Sequence, residues 1–151
     1  MTMSNSDTQS NVERTLRNLL PIMNKEDIKQ MLALLSEFPV KVVKTPESGL
    51  IMVHARDCFD VGFFLGEILV TTAEVDYFGI QGHATIMGDD PLKAVLAATL
   101  NALTRSAQTD ALNELSPLIE FYTQKYEHLQ QQEDQLTAAT KVSFESMVKE
   151  A

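Results

Sequence analysis

The stretch VKVVKTPESGLIMVHARDCFDVGFFLGEILVTTAEVDYFGIQGHATIM, residues 40–87, decides the fold. It is rich in Val, Ile, Thr and aromatic residues and is punctuated by Gly, the composition of strands and their turns. The pattern predicts four strands, near 40–45, 49–56, 63–77 and 80–87. In the second, Ile51, Val53 and Ala55 alternate with Met52, His54 and Arg56. In the third, Leu69, Thr71, Ala73, Val75 and Tyr77 share one face, and Glu74 and Asp76 point the other way. The joints are Pro46-Glu47-Ser48-Gly49, Asp57 to Gly62, and Phe78-Gly79. Each is too short for a parallel crossover, so the strands form an antiparallel meander.

Helices flank this stretch on both sides. Val12, Leu16, Leu19, Leu20 and Met23 recur at helical spacing, and Pro21 ends or kinks that helix. Asn24 can cap a second helix whose first turn carries Glu26 and Asp27, where the helix dipole favours negative charge. Its apolar stripe is Ile28, Met31, Leu32, Leu35 and Phe38, and Pro39 stops it. After the sheet, Asp90-Pro91 is a capping carboxylate followed by proline at the first helical position. The buried stripe there is Leu92, Val95, Leu96, Thr99, Leu100 and Leu103. Beyond a polar stretch around Ser106 to Asp110, a narrow seam of Tyr122, Tyr126, Leu129, Leu136, Phe144 and Met147 marks a long last helix. Glu133 and Thr140 interrupt the seam, and residues 127–140 are too polar to be buried all round. Such a helix must dock, on its own domain or on a partner chain. The fold class is therefore α+β: a four-stranded antiparallel meander with two helices before it and two or more after it. Residues 1–10 read as a polar tail and 11–151 as one domain.

At 151 residues the chain is long enough for one core without a disulfide or metal. Cys58 is its single cysteine, which fits a reducing compartment. No apolar run reaches the length of a membrane span, and the N-terminus lacks the basic-then-apolar order of a signal peptide. The expectation is a cytoplasmic protein. A net charge of −9 and a pI near 4.7 argue against nucleic-acid and anionic-lipid partners.

Standard catalytic signatures are missing: no Walker loop, Gly-x-Gly-x-x-Gly loop, Gly-x-Ser-x-Gly elbow, His-Glu-x-x-His helix or Cys-x-x-Cys pair. His54, Asp57, Cys58 and Asp60 cluster around one turn. They mix hard and soft ligands, and a strand sends His54 and Asp57 to opposite faces, so the expectation is no metal. His83 lies in a strand; it is a packed side chain or, with an unperturbed pKa near neutrality, a proton carrier. Gly82 before it would admit a close ligand or backbone. Glu67, after Gly66, is a lone carboxylate, ordinarily solvated or paired.

These residues resemble a known family. Pro46-Glu47-Ser48-Gly49-Leu50-Ile51-Met52-Val53-His54-Ala55-Arg56 is similar to its Glu-Thr-Gly-Leu-Val segment ending in Ala-Arg or Gly-Arg. Phe63-Phe64-Leu65-Gly66-Glu67 with Val70-Thr71 resembles its Phe-x-x-Gly-Glu/Asp and downstream Val-Thr. Gly82-His83-Ala84, Gly88 and Asp90 resemble its Gly-His/Tyr and Gly-Arg-Asp-Lys stretch. Ala97-Ala98 and Asn101-Ala102-Leu103 match the following helix, and Val142-Ser143-Phe144 with Met147-Val148 the closing segment. The family is PhnG, a subunit of the bacterial carbon–phosphorus lyase core complex. The resemblance implies partnership with three other kinds of core subunit and an accessory role in phosphonate catabolism. In that role the complex, with an ATP-binding partner, displaces adenine from ATP by a phosphonate. The product is ribose 1-phosphonate 5-triphosphate, and the nucleosidase centre lies on another subunit. It implies no cofactor bound by this chain and ATP as a substrate of the complex; from the residues themselves, Glu67 and His83 are the catalytic candidates. Arg56, Gly82 and Gly88 are the ligand-binding candidates. A stand-alone homodimeric binding or regulatory module of the same fold is the alternative.

The chain departs from the family pattern in one physical direction. The Gly-Gly-Thr-Gly loop is replaced by Asp57-Cys58-Phe59-Asp60-Val61, and a basic strand position is Thr72. The Arg and Lys of Gly-Arg-Asp-Lys are Asp89 and Pro91; a His aligns with Lys93 and a Glu with Val95. Basic groups before a helix N-terminus attract phosphate, whereas Asp89 and Asp90 repel it. The sequence therefore predicts contact rather than turnover as this chain's task.

Overall fold

The computed structural model describes residues 5–106 and 109–139. The elements run α1 (Asn5–Ile22), α2 (Lys25–Leu35), β1 (Val40–Arg56), β2 (Gly62–Tyr77), β3 (Ile80–Met87), α3 (Pro91–Arg105) and α4 (Thr109–Ala139). The helix α1 begins inside the stretch that the sequence reads as a tail. The closing segment with Phe144 and Met147 lies outside the described residues.

The sheet is an antiparallel meander, β1-β2-β3, of three strands and not four. The first two predicted strands are one. Pro46 and Gly49 suggested a turn, but β1 is an edge strand and absorbs Pro46 as an irregularity. The pairing shifts between Val42 and Lys44 and again between Lys44 and Glu47, each time with a surplus residue on β1. The other two joints are tight turns. Phe78 (φ +49°) and Gly79 (φ +83°) form a two-residue turn of the type that matches strand twist, closed by the Tyr77–Ile80 pair. At the other, Asp57 Oδ1 accepts from the backbone N–H groups of Phe59 and Val61, both at 2.9 Å.

The helix α3 lies against β2 and β3, while α1, α2 and α4 pack around it. It is thus enclosed, and its buried set is wider than one stripe: Ala94, Leu96, Ala98, Thr99, Leu100, Ala102, Leu103 and Thr104. Leu92, predicted inside, is exposed and Val95 half-buried. A row of alanines at i, i+4, i+8 (Ala94, Ala98, Ala102) carries the close approach instead. A Cβ on Gly82 would run into the Ala98 carbonyl and stand 2.7 Å from the Ala102 methyl. The core is completed by Leu16, Leu19 and Met23 of α1, Ile28, Met31 and Leu35 of α2, and Leu115, Ile119, Tyr122 and Tyr126 of α4. The caps are those predicted: Asn24 Oδ1 accepts from Asp27 N at 2.8 Å, and Asp90 Oδ1 from Lys93 N at 3.1 Å.

Asp27, read from sequence as a helix-dipole carboxylate, has a larger role. It is 3% exposed and tethers α2 to α4. Lys125 Nζ donates to both its oxygens at 2.6 and 2.7 Å, and Tyr126 Oη donates at 2.7 Å while accepting from Asn24 N at 2.7 Å. Burial alone would push the Asp27 carboxyl up; the hydrogen bonds from Lys125, Tyr126 and Asn24 with the Lys125 charge outweigh it and hold its pKa below the ordinary value. No described helix is long and apolar enough to cross a membrane.

Candidate functional site

The N-terminus of α3 is where an anion site would form, because free N–H groups and the helix dipole converge there. The sequence fills it with carboxylates, and the structure shows how they are held. The carboxylate of Asp90 caps Lys93 N. Asp89 Oδ1 accepts from Ser48 Oγ of β1 at 2.5 Å. Behind them stands Thr71, fully buried in β2. Its Oγ1 donates to Gly88 O at 2.6 Å and accepts from Asp90 N at 3.2 Å. Gly88 N donates to Leu69 O at 2.8 Å, and Gly88 (φ +92°) makes the turn from β3 into α3. The turn is thus fastened to both β1 and β2 by short side chains, with negative charge at its mouth. Lys93, the nearest cation in sequence, reaches away to Pro21 O of α1 at 3.5 Å.

The remaining candidates are spread along the sheet. Arg56 ends β1 opposite Gly62 and pairs with Asp60 at 2.7 Å, both side chains exposed. Glu67 is exposed opposite Met52. His83 stands opposite Glu74, with its Nδ1 4.0 Å from a Glu74 oxygen, and its backbone N–H donates to Asn101 Oδ1 of α3 at 3.2 Å. The partners of Arg56 and His83, Gly62 and Glu74, are twelve positions apart on β2, about 40 Å of strand, and Glu67, itself on β2, is about 23 Å of strand from Glu74. Arg56, Glu67 and His83 therefore form no common site within this chain. Gly82 faces the backbone of α3, where the Ala98 carbonyl and the Ala102 methyl occupy the space beside it.

His54, Asp57, Cys58 and Asp60 are likewise engaged separately. The His54 ring packs edge-on to Phe64 and covers Gly62; Asp57 holds the turn, Asp60 pairs with Arg56, and Cys58 is exposed. Among the described residues, no three His, Cys, Asp or Glu side chains are grouped to hold a metal ion. Sequence reasoning missed the Ser48–Thr71–Asp89 linkage, since Ser48 was read as part of a turn and Thr71 as an ordinary inward residue.

A cavity of about 550 Å³ lies between α1, β3 and α3, lined by the polar residues His83, Lys93, Arg17 and Glu13 and by Leu16, Leu20, Ile86 and Leu100 among others. It is mainly apolar and contains none of Arg56, Glu67 or Asp90.

Comparison with known proteins places this arrangement. The family described as phosphonate metabolism protein PhnG matches residues 13–149. A relative from Rhizobium meliloti (strain 1021), alpha-D-ribose 1-methylphosphonate 5-triphosphate synthase subunit PhnG, is 34% identical over 116 residues, covering 73% of this chain and 70% of the relative. A match over nearly the whole described length, with the β3–α3 turn and the α3 helix inside it, shows that this chain belongs to the PhnG family of phosphonate metabolism.

Proposed function

We propose that this chain is an accessory subunit of a carbon–phosphorus lyase type complex in phosphonate catabolism, and that it supplies contact surface while partner subunits carry the chemistry. The reaction would be that of the relative's printed name: a synthase making a ribose 1-phosphonate 5-triphosphate, here from ATP and an alkylphosphonate with release of adenine. The observation that carries the reading is the mouth of α3. A subunit that gripped triphosphate or phosphonate by itself would present bare N–H groups or cations there. This one presents Asp89 and Asp90, each fixed by a hydrogen bond. Two carboxylates beside a helix N-terminus oppose a phosphate that the dipole would otherwise favour by about 0.3–1 kcal/mol.

The separation of Arg56, Glu67 and His83 supports the same view. Any of them that serves catalysis does so by completing a site on a neighbouring chain: Arg56 by holding a phosphate oxygen, Glu67 or His83 by moving a proton. The test is reconstitution. The purified chain alone, with ATP and methylphosphonate, is expected to release no adenine. The other core subunits should be inactive or unassembled until the chain is added. Turnover by the isolated chain overturns the accessory reading, and so does full activity of the other subunits without it. Self-association with no binding to those subunits would instead identify a stand-alone homodimeric module.

A further inference from the structure

The hairpin formed by the end of β1 and the start of β2 projects beyond the helices. Of β1 and β2, the buried hydrophobic residues are Val70, Ala73, Val75 and Tyr77, with Val40 packed against the core, and no residue from 50–69 belongs to it. Pairing of β2 with β3 ends at Val70–Met87, so residues 62–69 pair with β1 alone. The result is a two-stranded arm of seven or eight residues a side, about 25 Å long. Both its edges are open.

Its side chains are the wrong kind for water. Nine large apolar residues between 50 and 69 are exposed, among them Phe59 at 82%, Phe64 at 72%, Leu65 at 68% and Leu50 at 62%. Leu50, Ile51 and Met52 are consecutive, as are Phe63, Phe64 and Leu65, so both faces of the ribbon are apolar. The surplus residue on β2 between the Val53–Gly66 and His54–Phe64 pairs also bends it. An isolated two-stranded ribbon is marginal in water, and a bare apolar surface beyond a few hundred Å² marks an interaction site.

We infer that this arm is the chain's main docking element and that its occupant is a non-identical protein subunit with an apolar cleft and basic groups at its rim. Two observations select that occupant. A second copy laid face to face covers one face of the ribbon and leaves the other in water; only a cleft grips both. The cavity between α1, β3 and α3, about 550 Å³, is too small to receive nine large side chains. The charge also disfavours a second copy: the chain carries −9, and on the arm Asp57 and Glu67 remain after Arg56 is paired with Asp60. The inference rests on the accessory-subunit reading and specifies which surface performs it.

The test uses the full chain, co-expressed with the other core subunits from the same source, and follows assembly by light scattering after gel filtration. The variants are Phe64→Glu with Leu65→Lys on the arm and, as a control, Leu34→Glu, an exposed residue of α2. Melting temperatures of the free variants check folding. Amide exchange gives a reading without mutation: residues 50–56 and 62–69 should exchange quickly in the free chain and slowly in the assembly. Expected are assembly of the wild type and L34E, loss of affinity by at least about 100-fold in the arm variant, and protected arm amides. Undiminished assembly of the arm variant, or arm amides that stay unprotected, overturns the inference and leaves complex membership standing. Failure of the wild-type chain to assemble sinks the membership reading itself. A dimer of the chain alone that the arm variant abolishes names a second copy as occupant and overturns the choice made here.

Discussion

A methyl group on Gly82 would collide with the carbonyl oxygen of Ala98 and lie 2.8 Å from the backbone nitrogen of Ala102. Neither atom can yield without moving α3. Gly82→Ala should therefore destabilise the chain by about 3 kcal/mol through overpacking, which at this size lowers Tm by roughly 10 °C. Gly62 gives the contrast. A methyl there meets only the His54 ring, 2.7 Å from Nε2, and that exposed side chain can swing aside. Gly62→Ala should stay within about 0.5 kcal/mol of the wild type. Thermal melts of the two variants decide the matter, and equal Tm values would contradict the α3–β3 approach. Gly82 also shows what a sequence can convey at this scale. A glycine in a strand announces that something comes close; which element comes, and that it is the protein's own helix, depends on a contact with residues sixteen and twenty positions away. Asp90 was legible because its partner, Lys93 N, is three residues on. Thr71 was not, because its partners at Gly88 and Asp90 meet it only after the hairpin has folded.

Elements were read best where local chemistry bounds them. Asn24, Asp90-Pro91 and Phe78-Gly79 each mark a boundary that the structure keeps. The third of the chain with the most turn-forming residues misled: Pro46 and Gly49 do not break β1, because an edge strand needs no N–H from Pro46 and can bulge around it. The last helix was read as one seam and is two halves. Leu115, Ile119, Tyr122 and Tyr126 are buried against the other helices, whereas Leu129 and Leu136 are exposed. The sequence left docking in cis or in trans open, and α4 does the first as far as Tyr126. Truncating Leu115→Ala should cost about 2–5 kcal/mol of stability in the free chain. Leu136→Gln should change it by less than about 0.5 kcal/mol. Denaturant midpoints at constant m-value measure both. A large loss from Leu136→Gln would mean that the distal half packs in cis after all.

At the scale of the whole molecule, a nearly buried polar tie joins α2 to α4 across sequence positions 98 apart and contributes to the response to pH. The pKa of Asp27 is lowered in the folded state, so its stabilising effect is present above the unfolded carboxyl pKa near 4 and is lost as pH falls through the folded value. The pKa of Lys125 is raised, first by its hydrogen bond to Asp27, and those of Tyr122 and Tyr126 are raised chiefly by burial. All three favour the protonated form. Their contributions are complete below pH 10 and decline as pH rises through the folded values. The stability profile should therefore be flat through neutrality and fall at both ends. Asp27→Asn removes the carboxylate while keeping its shape. At pH 7 it should cost about 2–3 kcal/mol, the worth of hydrogen bonds to a charged group that is nearly buried. It should also flatten the acid limb below the unfolded carboxyl pKa, since the titrating group is gone. Urea unfolding at a series of pH values reads the cost and the slope together. An acid limb as steep in Asp27→Asn as in the wild type would assign it to other carboxylates, of which this acidic chain has many. The tie would then be a matter of geometry alone. A flattened limb would instead mean that the α2–α4 ion pair carries part of the acid sensitivity, lost as Asp27 gains its proton.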